Sequence, residues 1–175
     1  MKKSFASIWW RIAAFAFDYL VIAVYLVVLV LLGWSSRFAF PTAMTFMFSQ
    51  RVSAQFVGFL LITLPVTLYF AFGESSLKQA SWGKQRMGLK VVNVQGRQLS
   101  FIHALARNLL KFVPWELAHT CIWSLAFSYG NPPLWINAGF IAVYLLVGMN
   151  LLSIFFSKTH QSLYDFAIST YVVKS

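Results

Sequence analysis

Two stretches of this chain, residues 52–73 and 134–156, run for twenty-two and twenty-three positions without one charged side chain. Segments of that length and character belong to a bilayer, because the core helices of a water-soluble domain are shorter and carry a polar face. A third block, residues 19–32, is apolar at every position. As a helix it reaches only ~21 Å of a hydrocarbon layer ~30 Å thick, so it must extend upstream to about Ala13. That extension draws Asp18 below the membrane surface and leaves Trp9, Trp10 and Arg11 at the interface. A fourth, shorter block at 112–129 contains Glu116 and His119. The expectation is an all-α membrane protein: a four-transmembrane-helix bundle with spans at about 8–34, 52–73, 112–129 and 134–156. Pro65 lies near the middle of the second span and predicts a kink, and Gly130-Asn131-Pro132-Pro133 forms a tight turn between the last two.

Composition agrees, with 59% apolar and only 10% charged residues against roughly 25% charged in an ordinary soluble domain. A net charge of +10 raises the question of nucleic acid, but the basic residues flank apolar blocks and form no stacking platform with aromatics, so no nucleic-acid partner is expected. They read instead as topology signals. Lys78, Lys84, Arg86, Lys90, Arg97, Arg107 and Lys111 crowd the loop at 74–111, whereas the turn at 130–133 has none, which makes that loop cytoplasmic. Alternation then places both termini inside, with Lys2, Lys3, Lys158 and Lys174, and residues 35–51 outside. The run after Lys2 and Lys3 lacks a small-x-small cleavage site and is read as an uncleaved first helix. Cys121, the single cysteine, is expected to pack rather than to react.

Within the loop, residues 88–94 and 97–100 flank Gln95-Gly96 as two short strands about a glycine turn. From Ser100, a good N-cap, a helix follows whose His103, Arg107, Asn108 and Lys111 share one face opposite Phe101, Ile102, Leu105, Leu109 and Phe112. It is expected to lie along the membrane surface, with Arg107 and Lys111 offered to anionic lipids or a protein partner. The β-branched tail at 168–173 is expected to pair with residues 89–94 as a small cytoplasmic sheet.

Three blocks resemble the RDD family of small integral membrane proteins, named for an Arg and two Asp residues. They are Arg11-Ile12-Ala13-Ala14-Phe15-Ala16-Phe17-Asp18, then Trp82-Gly83-Lys84-Gln85-Arg86-Met87-Gly88-Leu89-Lys90-Val91-Val92 with residues 101–110, and Gln161-Ser162-Leu163-Tyr164-Asp165 onward to Val173. Arg11, Asp18 and Asp165 carry the signature, and Tyr164 stands where many members have His. The resemblance implies one RDD-type domain over 1–175. Some members are described as sodium(proton) antiporters, and others scaffold or assist membrane proteins.

Only four acids are present: Asp18, Glu74, Glu116 and Asp165. An ionisable group at membrane depth costs ~2.5 to 3.5 kcal/mol on insertion scales, so Asp18 and Glu116 need partners inside the bundle. Arg11 and Asp18 are seven residues, ~10 Å, apart on one stripe and do not pair directly. An Arg11 to Asp165 bridge between the first and last helices is the economical arrangement. Asp18 then serves either as a brace or as a cation and proton site. Glu116 and His119 sit at i, i+3, half of a two-metal carboxylate motif. With one copy, a proton relay or an interhelical hydrogen bond is expected and no metal. Ser81-Trp82-Gly83-Lys84-Gln85 lacks the glycine spacing of a phosphate loop, and hydrolase, zinc-protease and thiol motifs are missing, so neither enzyme activity nor a cofactor is expected. The leading expectation is a small transporter exchanging a monovalent cation for a proton through Asp18, Glu116 and Asp165, working as a homo-oligomer in a plasma membrane of the bacterial inner-membrane type. The alternative is a scaffold or assembly factor that docks another membrane protein or anionic lipid.

Overall fold

The computed structural model describes residues 4–175, so the expectation about Lys2 and Lys3 falls outside the described residues. Helix α1 (Ile8–Ala39) is followed by the short α2 (Pro41–Met47). The break between them falls at Phe40, whose φ of −137° suits a residue held out of the helical region by the proline after it. Helix α3 (Arg51–Ser75) leads to the short α4 (Trp82–Arg86) and strand β1 (Leu89–Asn93). Then come α5 (Phe101–Ala126), α6 (Trp135–Phe156), the single-turn α7 (Leu163–Ala167) and strand β2 (Thr170–Lys174).

Three of these helices, α1, α3 and α6, are long and apolar enough to cross a membrane. Their outer faces remain bare, with Val24, Leu31, Tyr144 and Leu152 more than half exposed, which suits hydrocarbon and not water. Helix α5 is as long but more polar, because it fuses two segments expected to be separate. The helix that begins at the Ser100 cap, whose hydroxyl accepts the His103 N–H, runs on through Pro114 into the third apolar block. It is therefore not a separate helix, and the polar face of its first turns is turned into the molecule.

Just before Pro65, α3 carries a π-helical stretch at Phe59–Thr63. A proline cannot donate to the carbonyl four residues back, here that of Leu61. The Tyr25 hydroxyl of α1 replaces that donor at 2.6 Å, while the Leu64 N–H reaches back five residues to Phe59. Helix α1 thus docks on α3 at the point where α3 has lost a backbone bond.

The tail pairs with the middle loop: β2 lies antiparallel to β1 with Val91 opposite Val172. On the other side of β2 the Ala6 N–H donates to Val172 O at 2.9 Å and the Lys174 N–H to Ser4 O at 2.9 Å. The amino-terminal segment, the loop after α3 and the carboxyl terminus therefore meet at one end, here termed the sheet end. The expected strand at 97–100 does not form. Gly96, at φ +80°, turns the chain, but a single rung joins Asn93 to Arg97, because Leu99 is buried beneath and Ser100 must cap α5. The Val91 N–H on that edge of β1 goes to Gln79 O instead.

Candidate functional site

The sheet end holds a buried network of charge. Glu74 lies in the last turn of α3, where the helix dipole disfavours a carboxylate, so it requires cations. The Arg107 Nη1 donates to both Glu74 oxygens at 2.8 Å, the Lys84 Nζ to Oε1 at 3.0 Å and the Asn108 Nδ2 to Oε2 at 2.8 Å. Arg107 also reaches Asp165 Oδ1 through Nη2 at 2.7 Å and Nε at 2.9 Å. The guanidinium thus bridges two carboxylates from α3 and α7, the sort of planar fork that lysine cannot supply.

Asp165 is held from every side. The Ser162 and Thr170 hydroxyls donate to it at 2.8 and 3.0 Å, the former within a capping box that starts α7. The Arg11 Nη1 donates to its Oδ2 at 2.7 Å, which is the expected clasp between the first helix and the segment after the last. Burial alone would raise the Asp165 pKa, but Arg107 and then Arg11 hold it well below the usual carboxylate range.

Asp18 and Arg11 do not pair, and Asp18 looks elsewhere. Its carboxylate accepts the Ser81 hydroxyl at 2.6 Å, the Gly83 N–H at 2.7 Å and the Tyr69 hydroxyl at 2.7 Å. A Cβ at Gly83 would stand 2.1 Å from Ala14 O, so only glycine lets this backbone approach α1. The Ser81 oxygen in turn accepts from Lys84 Nζ at 3.2 Å, which joins Asp18 to the Glu74 group.

Arg107 and Lys111 are therefore not an exposed stripe for lipid headgroups. Arg107 is fully buried, and the Lys111 ammonium rests 3.4 Å from the centre of the Phe70 ring. The shared polar face of the amphipathic pattern is real, but it is covered by α3, α7 and β2; the His103 ring meets Ile168 O at 2.6 Å.

Glu116 and His119 belong to a different region. Along one face of α5, Glu116, Thr120 and Ser124 meet α3 through the Thr63 hydroxyl at 2.7 Å, the Gln55 amide at 2.7 Å and Arg51 at 2.9 Å. Thr63 ends the π-helical stretch. The His119 Nδ1 is 3.7 Å from Glu116 Oε2. Cys121, buried on another face of α5, packs toward Gly139 of α6.

A model of the RDD family matches residues 5–169. The chain belongs to the RDD family. With its apolar helices, the RDD chain is a multi-pass membrane protein whose surface contacts the lipid bilayer. No curated protein and no solved structure matches it. The three RDD signature residues sit in one network, joined through Arg107, Glu74, Lys84 and Ser81. None of these four was singled out as a partner of the signature acids. The signal that could have found them is numerical: with four acids among fourteen Lys and Arg, basic partners are in excess for the acids at the sheet end.

Proposed function

We propose that this RDD protein crosses the membrane four times with both ends cytoplasmic, and exchanges a monovalent cation for a proton at Glu116. The sheet end supports the crossing number, because Ser4–Ala6 and β1 both pair with β2, so α1 leaves and α3 returns there, and α5 leaves and α6 returns. Lys78, Arg86 and Arg97, exposed at that end, support a cytoplasmic orientation.

One observation carries the exchange reading: Glu116 is the least compensated acid of the four. It receives one hydrogen bond, from Thr63, whereas Asp18 receives three and Glu74 and Asp165 hold arginine. It also stands ten residues, ~15 Å, from the end of α5, near the middle of a bilayer. An uncompensated acid at that depth is expected to handle protons or ions, and His119 is a second titratable group within reach. The hydroxyls and amide of Thr63, Thr120, Gln55 and Ser124 continue the polar seam toward the far side. Asp18 and Asp165 take the part of braces that position α5. Exchange along one seam at the surface of the bundle calls for a homo-oligomer to enclose it.

The test is cation-dependent pH change in proteoliposomes. Wild-type protein moves protons against sodium, lithium or potassium, and Glu116→Gln abolishes the movement while remaining folded. Full activity in Glu116→Gln, or no response to any of the three ions from folded wild-type protein, overturns the reading. The partner-docking alternative rested on Arg107 and Lys111 as an exposed stripe, and no observation here favours it.

A further inference from the structure

On the opposite side of α5 from the Glu116 seam, α1, α5 and α6 enclose a cavity of about 410 Å³. This is far more room than a water needs and within the range of sites for small ligands. Toward the membrane its walls are apolar, formed by Phe15, Ala118, Val143 and Val147. Ile12, Phe15, Val147 and Leu151 border it and are also exposed on the lipid-facing surface, so the cavity opens sideways between α1 and α6. At its sheet end it meets four cations: Arg11, Lys84, Arg107 and Lys111.

Basic groups outnumber acidic ones there. Four cations face the three carboxylates of the network, Asp18, Glu74 and Asp165. Lys84 and Arg107 are committed to Glu74 and Asp165, whereas Lys111 forms no ion pair among the described residues and touches only aromatic rings. Arg11 spends one nitrogen on Asp165; its Nε and Nη2 are buried without a partner, and its side chain is 10% exposed. The Asn150 Oδ1, also lining the cavity, is buried and unpaired as well. Buried polar atoms left without partners are costly, so an arrangement that keeps three of them, two donors and one acceptor, around one space is matched to something that fills it.

We propose that this cavity binds the headgroup of an anionic phospholipid, entering between α1 and α6 from the leaflet at the sheet end. The phosphate accepts from the free Arg11 nitrogens and neutralises Lys111, and a hydroxyl-bearing headgroup donates to Asn150 Oδ1. The first acyl carbons lie along Phe15, Ala118 and Val147, and the rest of the chain stays in the bilayer. This site is independent of the exchange reading, because it uses the face of α5 turned away from Thr63 and Gln55.

The experiment is native mass spectrometry and thermal melting of the purified protein in nonionic detergent, titrated separately with dioleoylphosphatidylglycerol, dioleoylphosphatidylcholine and inorganic phosphate. The expected result is one phosphatidylglycerol retained per protomer with a raised Tm, no retention of phosphatidylcholine and no effect of free phosphate. Arg11→Lys preserves the single bond to Asp165 but removes the spare donors, and Lys111→Met removes the unpaired charge. Each lowers phosphatidylglycerol affinity about tenfold, as expected for one charge-assisted hydrogen bond. Ala118→Trp fills the apolar part and excludes the lipid without touching any charge. Equal retention of the two lipids, unchanged retention in all three variants, or equal stabilisation by free phosphate overturns the proposal.

Discussion

At the sheet end three carboxylates are surrounded by arginine, lysine, hydroxyls and backbone N–H groups, whereas halfway along α5 one carboxylate, Glu116, holds a single hydroxyl. Both regions set acids between helices, and they differ in how far the charge is answered. In the first region each group is fixed by several others from different elements: Asp165 alone ties α1, α5, α7 and β2 together. Such a carboxylate has little freedom to change its protonation without disturbing the fold. In the second region α3 and α5 are joined beyond Glu116 at Gln55, Thr120, Arg51 and Ser124, so their contact does not rest on the carboxylate alone. The full set of partners marks architecture, and the incomplete set marks the place where chemistry is available.

The sharpest way to break this contrast is Arg107→Met. It leaves Glu74 and Asp165 facing each other's charge without their shared partner, and removing one member of a buried ion-pair group costs about 3–5 kcal/mol. The melting temperature in detergent is expected to fall steeply, or the variant to elute as aggregate. A variant melting within a few degrees of wild type would show that the network contributes little.

Acid probes the same region without mutation. Arg107 and Arg11 depress the folded-state pKa of Asp165 below its unfolded value near 3.9. The stability it contributes is therefore present above about pH 4 and is lost as the pH falls toward the folded value. Melting temperature measured from pH 7 downward should stay level until about pH 4 and then decline. A decline already complete at pH 5 would mean that the carboxylates are not held by arginine.

Much of this architecture is legible in the sequence, and the parts that are not share one cause. The three long apolar helices follow from the long apolar runs, and β2 was readable because a β-branched tail too short to cross a membrane needs an edge to pair with. The Arg11 to Asp165 clasp follows from two charges at one end of two helices. The burial of Arg107 was not legible, since an amphipathic pattern gives the face of a helix but not what covers it. The same pattern that fits a membrane surface fits a helix roofed by α7 and β2. The missing strand at 97–100 is a similar case: turn chemistry fixes Gly96, but whether the chain after it pairs depends on where Leu99 and the Ser100 cap are needed. Among the site residues, Asp18 is buried as expected, whereas its three donors come from α3, the loop before α4 and α4 itself, which no spacing links to it.

Asp18 allows a finer test of the distinction between shape and charge. Gly83→Ala inserts a methyl group 2.1 Å from Ala14 O and 2.7 Å from the Asp18 N, both backbone atoms that cannot turn aside. Helices α1 and α4 must separate, at the ~1–3 kcal/mol or more typical of overpacking. Asp18→Asn keeps an oxygen for Gly83 and Tyr69 but turns an amide toward Ser81, whose oxygen already accepts from Lys84. The cost is that of one hydrogen bond, ~0.5–1.5 kcal/mol. The glycine variant is therefore expected to melt lower than the asparagine variant. The reverse order would mean that the negative charge of Asp18, and not the close approach it organises, holds this corner.

The smallest expected change in stability is at Glu116, and it bears most directly on function. Glutamine keeps the carbonyl that accepts the Thr63 hydroxyl and removes an ionisable group from mid-membrane, so the two effects on stability oppose each other. Melting temperature should move by no more than the ~0.5 kcal/mol of an ordinary surface substitution. Thr63→Val, which deletes the one donor, should likewise leave the fold intact, since two other polar contacts join α3 and α5 beyond it and the Tyr25 bond ties α3 to α1 at Leu61. The two variants then separate in proteoliposomes: Glu116→Gln loses cation-dependent proton movement, while Thr63→Val, which keeps the carboxylate, retains it. If Glu116→Gln instead melts as low as Asp18→Asn, Glu116 is one more brace, and the contrast between the two regions is one of degree alone.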